Sequence, residues 1–194
     1  MRSLIHTIIR KKKFLGDIVR MTEFNPYSPR NGEEMLRACP PGTRIYLYSD
    51  LASDPRSSLD ILKSMGRDNL ILYQDPDKMN SGHWSSLSFR PEKMEAYFFS
   101  SYGGKPDFEK NQWLTQSALR NSGQYRNVIN DGLKELFKQG WTIYYNDYPY
   151  QRVGDHTATC GVWSAAFLRS GVNPDIFEDH HLSDPEEYFR KYFR

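Results

Sequence analysis

The sequence predicts an α+β fold, in which strands lie before and beside one buried helix. Short apolar and aromatic runs fill much of the first half of the chain, and such runs are typical of strands. In the second half, apolar residues recur at helical spacing. The run 160–168 has no charged residue, which indicates a helix that is buried nearly all round. Strands that precede and flank such a helix favour the α+β class.

The first half is predicted to contain two short helices and four strands. One helix covers Glu33–Cys39 and ends at Pro40, since proline cannot continue a helix. The other begins at Ser57 or Ser58, either of which can cap a helix N-terminus, and runs to Met65. The predicted strands are Arg44–Leu51, Asn69–Gln74, His83–Phe89 and Glu95–Ser101.

The second half is predicted to be mostly helical. Helical spacing predicts helices over Glu109–Arg120 and Tyr125–Lys138, and the aromatic run Trp141–Asn146 predicts a fifth strand. The buried helix follows a polar loop, covers Cys160–Leu168 and is ended by Gly171.

Composition places the chain among folded, soluble proteins. It has 194 residues and an aromatic content of 14%, which excludes an acidic or low-complexity disordered protein. No uncharged apolar run approaches the roughly 18 residues of a membrane span. Cys39 and Cys160 are the only cysteines, which excludes a disulfide framework and a multi-cysteine zinc site and favours a reducing compartment. We therefore predict no membrane segment, no metal and no cofactor.

Positive charge is concentrated at the N-terminus. Residues 1–20 carry six basic side chains against Asp17 alone, although the net charge of the whole chain is +2. We interpret residues 1–30 as a basic segment with a linker, and residues 31–194 as one domain. The basic segment is either a docked terminal helix or solvated tail, or a binding segment for nucleic acid or a capsid surface.

Cys160 is the candidate nucleophile. A helix N-terminus lowers the pKa of a thiol, and its free N–H groups can bind an oxyanion. The alternative is a small buried hydrophobic residue, which is the usual role of a cysteine. A nucleophilic thiol needs a base. Only 34 residues follow Cys160, which excludes the papain order and places the base upstream. His83, on a predicted strand, is favoured over the loop residue His156.

Four pieces of the chain, in this order, resemble the adenain-type cysteine peptidases. They are Gly82-His83-Trp84, the run YFFSSYGGKPD, the run YYNDYPYQ and the TCG that opens the buried helix. The group includes adenovirus maturation proteases, related enzymes of large DNA viruses and virophages, and the SUMO-type proteases of eukaryotes. The resemblance spans Arg44 to Gly171 and implies a central mixed sheet, with further helices flanking the buried helix that carries the cysteine.

The resemblance also implies roles for individual residues. It assigns Cys160 as nucleophile and His83 as general base, which would form an imidazolium–thiolate pair. The group's glutamine, which donates to the oxyanion together with the cysteine N–H, matches Gln151, with Gln124 as the alternative.

The third position of the triad departs from the group's pattern. Where these enzymes carry Asp, Glu or Asn, the phrase Phe99-Ser100-Ser101 places Ser100. A hydroxyl can orient the imidazole but cannot stabilise the imidazolium as a carboxylate does. Asp107 or Asp147 could supply that charge instead.

The resulting hypothesis is a thiol endopeptidase that matures viral capsid or core precursors, with Gly-Gly-type cleavage sites. Its partners would be the precursor protein and, through the basic N-terminal segment, nucleic acid or an activating peptide, with no membrane partner. It would act in the virion and in the virus factory of the host cytoplasm, without being secreted. The alternatives are a deconjugating protease for ubiquitin-like tails and a non-catalytic nucleic-acid-binding virion protein with a decayed protease fold.

Overall fold

The computed structural model of the protein describes residues 31–75, 82–151 and 158–179. In these residues the fold is α+β, with eight α-helices, five strands and one 3-10 turn between the third and fourth strands. The elements are α1 (Gly32–Ala38), β1 (Arg44–Leu47), α2 (Tyr48–Ser53), α3 (Ser58–Ser64), β2 (Asp68–Gln74), β3 (Gly82–Arg90), β4 (Glu95–Ser100), α4 (Lys110–Trp113), α5 (Gln116–Asn121), α6 (Val128–Lys138), β5 (Thr142–Tyr145), α7 (Cys160–Ser170) and α8 (Pro174–Asp179).

The five strands form one mixed sheet in the order β1-β2-β3-β4-β5. The two outer pairs, β1 with β2 and β4 with β5, are parallel, and the two inner pairs are antiparallel. The sequence therefore predicted the mixed sheet and the α+β class correctly. β3 pairs with β2 from Gly82 to Ser88, but its pairing with β4 begins at Ser85. The start of β3 consequently extends past the end of β4.

Each face of the sheet is covered by helices, so the core has two halves. We call one face the His83 face; its side chains pack against α2, α3 and α6, and it includes Ile71, Tyr73, Leu87, Ala96 and Phe98. We call the other the Trp84 face; its side chains pack against α1, α7 and α8, and it includes Leu70, Trp84, Tyr97 and Phe99. Because α7 is enclosed in the half of the core on the Trp84 face, nine consecutive residues from Cys160 to Leu168 are buried, as the charge-free run predicts.

The predicted strand Arg44–Leu51 is wrong in its second half. β1 ends at Leu47, and α2 follows at once. The buried residues Tyr48, Leu51 and Ala52 have the spacing i, i+3, i+4 of a helix face. The Tyr48 hydroxyl donates to the carbonyl of Arg126 at 2.6 Å, which fixes this helix against the far side of the core. Tertiary contacts of one aromatic side chain therefore override a local strand pattern.

The predicted helix Glu109–Arg120 is two helices, α4 and α5. Leu114 between them is extended, and the Thr115 hydroxyl accepts a hydrogen bond from the N–H of Ala118, which begins a new helix. α6 starts at Val128 rather than at Tyr125. The remaining predicted strands and helices lie within a few residues of the observed ones. No helix in the described ranges is both long and apolar enough to span a bilayer.

Candidate active site

Cys160 is the first residue of α7 and is 6% exposed. The preceding Thr159 does not cap the helix with its side chain, so the first N–H groups of α7 stay available. The backbone N–H groups of Trp84, Gly161 and Cys160 itself lie on the side of the thiol that favours the thiolate, and they lower the thiol pKa. Burial acts in the opposite direction and is the largest effect, so the pKa of Cys160 is raised above its ordinary value. The prediction that the helix N-terminus lowers the pKa of Cys160 below its ordinary value is therefore wrong.

The close approach of α7 to β3 depends on Gly161. A Cβ atom at this position would lie 2.7 Å from the sulfur of Met35 and 3.3 Å from Cδ1 of Trp84. Since the pairing of β3 with β4 begins only at Ser85, the backbone of Trp84 is uncovered on the β4 side. The helix N-terminus thus brings the sulfur of Cys160 to the residue that directly follows His83.

His83 is the second residue of β3 and is 1% exposed. Its Nε2 lies 3.0 Å from Oγ of Ser100, whereas Nδ1 has no hydrogen-bond partner in the described residues. Burial lowers the pKa of His83 to about 3, because the desolvated imidazolium would be unfavourable. At neutral pH the resting residues are therefore a neutral imidazole and a neutral thiol, not the ion pair that the resemblance implied.

Two aromatic rings hold the imidazole of His83. Tyr102 stacks on it with ring centroids 4.2 Å apart and an interplanar angle of 17°. Tyr73, the partner of His83 across the β2–β3 ladder, stacks at 6.3 Å and 27°. The ring plane of His83 is consequently fixed by packing, and its Nε2 by Ser100.

Ser100 is held in place by Asn146, which the sequence analysis named only as the last residue of the predicted fifth strand. The side-chain oxygen of Asn146 accepts from the N–H of Ser100 at 3.0 Å, and its amide nitrogen donates to the carbonyl of Ser100 at 2.8 Å. The same nitrogen donates to the carbonyl of Tyr148 at 2.9 Å. An asparagine directly after β5, beside the strand that ends at Ser100, was the available signal.

Gln151 is buried and is connected to both the sheet and α7. Its side-chain oxygen accepts from the hydroxyls of Ser101 and Thr159, each at 3.2 Å, and its backbone N–H donates to the carbonyl of Ser101 at 2.9 Å. Two hydroxyls therefore fix the carbonyl end of the amide, which in turn sets the direction of its NH₂ end. Through Thr159, the amide is linked to the residue next to Cys160.

The alternative residues lie elsewhere. Gln124 bonds the backbone of Gln74 with both ends of its amide, so it is a structural link at the end of β2. Asp107 accepts from the Tyr73 hydroxyl at 3.4 Å and from the N–H of Asn130 at 2.9 Å. The side chain of Asp147 is exposed. The basic segment 1–30 and the histidines 6, 156, 180 and 181 lie outside the described residues.

A buried group of charged residues lies behind His83, and the sequence analysis named only Asp107 of it as a candidate site residue and missed Glu109 and Lys110. Asp107, Glu109 and Lys110 are each at most 2% exposed. Burial raises the pKa of both acids, that of Glu109 to about 8, with the charge of Asp107 raising it further. Burial lowers the pKa of Lys110, whose ammonium donates to the Tyr48 hydroxyl and to the carbonyl of Gln124, both at 3.0 Å. In the sequence these residues look like the polar start of a surface helix.

Comparisons with known proteins link this chain only loosely to a virophage protein and to a protease structure. No protein-family model matches the chain. "Uncharacterized protein V9" of the Sputnik virophage is 34% identical over 114 residues, which are 58% of this chain and 62% of that protein. The chain thus spans less than two thirds of this relative's length. The solved structure described as "Crystal structure of the de-sumoylating protease" is 13% identical, with a TM-score of 0.32, and the match covers 83% of this chain and 67% of that chain. A likeness at that TM-score carries no argument about the site.

Proposed function

We propose that the protein is a cysteine endopeptidase in which Cys160 is the nucleophile and His83 the general base. The observation that carries the proposal is the position of Cys160 as the first residue of α7, together with a buried His83 whose Nε2 is held by Ser100 and whose Nδ1 has no partner among the described residues. A thiol at a helix N-terminus, beside a histidine oriented through its other nitrogen, is the arrangement that nucleophilic catalysis by cysteine requires.

The chemistry starts from a neutral pair. The imidazole tautomer with hydrogen on Nε2 donates to Ser100, which leaves Nδ1 as the base. As substrate enters, the thiol proton passes to Nδ1 and the sulfur attacks the scissile carbonyl carbon. The imidazolium then gives this proton to the leaving amine as the C–N bond breaks. Water, deprotonated by His83, hydrolyses the thioester and restores the thiol.

The oxyanion of the tetrahedral intermediate would be bound by the N–H of Cys160 and the side-chain NH₂ of Gln151. The two hydroxyls that hold the oxygen of Gln151 support this role, because they fix the orientation of the amide before substrate arrives. Donors that are oriented in advance stabilise developing charge most effectively.

The proposed setting is viral. The similarity to a virophage protein supports it, and the substrates would be capsid or core precursor proteins. The protein would act in the virion and in the cytoplasmic virus factory, with the basic residues 1–30 contacting nucleic acid or an activating peptide.

The decisive experiment compares the full chain with Cys160→Ala and Cys39→Ala on a recombinant capsid precursor with Gly-Gly sites and on a ubiquitin-like conjugate. We expect the wild type and Cys39→Ala to cleave the precursor and Cys160→Ala to be inactive, with circular dichroism unchanged. Cleavage by Cys160→Ala would show that the nucleophile is wrong. Cleavage of the conjugate alone would favour a deconjugating protease, and cleavage of neither by the wild type would refute the proposal.

A second experiment concerns Ser100. Ser100→Ala should slow turnover only modestly, because a neutral hydroxyl orients the imidazole but adds little charge stabilisation. Ser100→Asp should raise the pKa of His83 and move the acid limb of the rate profile upward, because the base is the neutral imidazole. The ring resonances of His83 across a pH titration measure this shift directly, and an unchanged titration in Ser100→Asp would contradict the assignment.

A further inference from the structure

Glu109 is a fully buried carboxyl with only part of its hydrogen-bonding capacity used. One oxygen accepts from the hydroxyl of Ser85 at 3.0 Å. The other oxygen, Oε2, has no partner in the part of the chain that the structure describes. Because nearly all buried polar atoms in native proteins are paired, such an atom needs an explanation.

The residue that holds Glu109, Ser85, is a direct neighbour of the His83–Ser100 pair. Ser85 is two residues from His83 on β3, so both side chains lie on the His83 face, and it is the cross-strand partner of Ser100 on β4. Tyr73 is the cross-strand partner of His83 on β2 and stacks on its ring. The carboxyl of Glu109 therefore lies on the His83 face of the sheet, against the residue two positions after His83.

We propose that Glu109 is a positioning residue for His83. The carboxylate of Glu109 supplies, next to Ser85, the negative charge that Ser100 lacks. This inference rests on the proposed function and deepens it. The imidazolium that forms when Cys160 loses its proton is buried, and its hydrogen-bond partner Ser100 is neutral. A negative charge near it in a low-dielectric interior stabilises it more strongly than the same charge would in water.

The other charged groups around Glu109 are already paired or engaged. Asp107 accepts from the N–H of Asn130 near the start of α6 and interacts with the Lys110 ammonium. Lys110 donates to two carbonyls and a hydroxyl. The titratable groups that interact with this cluster from β2, α2, α4 and α6 are Tyr73, Tyr48, Lys110 and Asp131. From β3, His83 faces it through its stacking on Tyr73. Glu109 is therefore the acid of this group that is placed to respond to His83.

The activity test compares Glu109→Gln with the wild type over a range of pH. Since burial keeps the carboxyl protonated up to about pH 8, the amide mimics its neutral form. The ratio of kcat/KM, variant to wild type, should be near one at pH 6 and fall about tenfold by pH 9, which corresponds to one pKa unit of coupling. A ratio that is lowered equally at every pH would indicate a structural role and overturn the inference.

A second measurement does not depend on proteolysis. In the Cys160→Ala background, which removes the thiol titration, the ring ¹⁵N resonances of His83 should show an inflection near pH 8 that reports the ionisation of Glu109. This inflection should disappear in Cys160→Ala/Glu109→Gln. Its absence from the first variant would overturn the inference even if the wild type cleaves substrate. Its presence without any proteolysis would support the link to His83 and refute only the proposed function.

Two serines on β3 provide a matched control. Ser85→Ala removes the hydroxyl that holds Glu109 and should reproduce part of the pH-dependent loss. Ser86→Ala removes the next hydroxyl along the strand, which is also buried but has no partner among the described residues. It should leave the pH profile as in the wild type. Equal profiles for the two variants would contradict a role for Ser85 in placing Glu109.

Discussion

The buried carboxyl of Glu109 makes the stability of the protein depend on pH. Its pKa is raised from the ordinary value of 4.5 to about 8, mainly by burial. Between these values the native protein keeps a proton that the unfolded chain releases, so the contribution of Glu109 to stability is full below pH 4.5 and is lost as the pH rises towards 8. Because one pKa unit corresponds to about 1.4 kcal/mol, the loss between pH 5 and pH 7 is roughly 2 to 3 kcal/mol.

Glu109→Gln removes this dependence, because the amide does not ionise. The measurement is urea unfolding of both proteins at pH 5, 6, 7 and 8, which gives the difference in free energy of unfolding at each pH. We expect the variant to gain roughly 2 to 3 kcal/mol relative to the wild type between pH 5 and 7. A constant offset from placing an NH₂ group at the Oε2 position does not affect this slope.

His83 acts in the opposite direction in both proteins. Its pKa is lowered from 6.5 to about 3, so below pH 6.5 the unfolded chain binds a proton that the native protein does not, and stability falls as the pH falls. The difference between variant and wild type cancels this effect and isolates Glu109. Glu135→Gln, on the exposed side of α6, controls for the loss of a carboxylate as such. A difference that stays constant from pH 5 to 8 would refute the reasoning.

Three further predictions concern the site. Gln151→Ala should lower kcat by about 10²–10³ with little change in substrate affinity, since an oxyanion donor acts mainly on the transition state; an unchanged kcat would move this role elsewhere. Iodoacetamide at pH 9 should alkylate Cys160 before Cys39, because burial raises the pKa of Cys39 to about 12, whereas backbone N–H groups offset part of the effect of burial at Cys160. Peptide mass spectrometry measures the order, and alkylation of Cys39 first would contradict this effect of the N–H groups. Gly161→Ala should destabilise the fold by about 1–3 kcal/mol in urea unfolding, because its Cβ overlaps packed atoms; wild-type stability would show that α7 can shift freely.

The sequence predicted those elements whose buried residues follow the regular spacing of a strand or a helix. β3 and β4 appear as apolar runs because both faces of the sheet are covered, and α7 appears as a charge-free run because it is enclosed. The strand prediction is wrong at Tyr48, because its hydroxyl makes hydrogen bonds to residues about 80 positions away and these stabilise a helix instead. Such contacts leave no local signal.

The same limit applies to the site. A cysteine at a helix start and a histidine on a strand can be read from the chain, and the structure places Ser100 against His83. The pKa directions could not be predicted, because burial of both groups depends on the whole fold. Glu109 was missed for a related reason. Its sequence neighbours are polar, and only the close approach of Ser85 and Tyr73 shows that its carboxyl is enclosed.

The bonding of Asn146 has a consequence for which residues this position can hold. Its amide accepts from the N–H and donates to the carbonyl of Ser100. It thus satisfies both main-chain groups that a neighbouring strand would otherwise pair. It therefore acts as a substitute rung of the β-ladder, one residue beyond the end of β5. Aspartate has the same shape but no donor, and glutamine has both groups on a longer stem. In a saturation library selected for activity, position 146 should thus accept asparagine alone, although nothing in its own chemistry is catalytic.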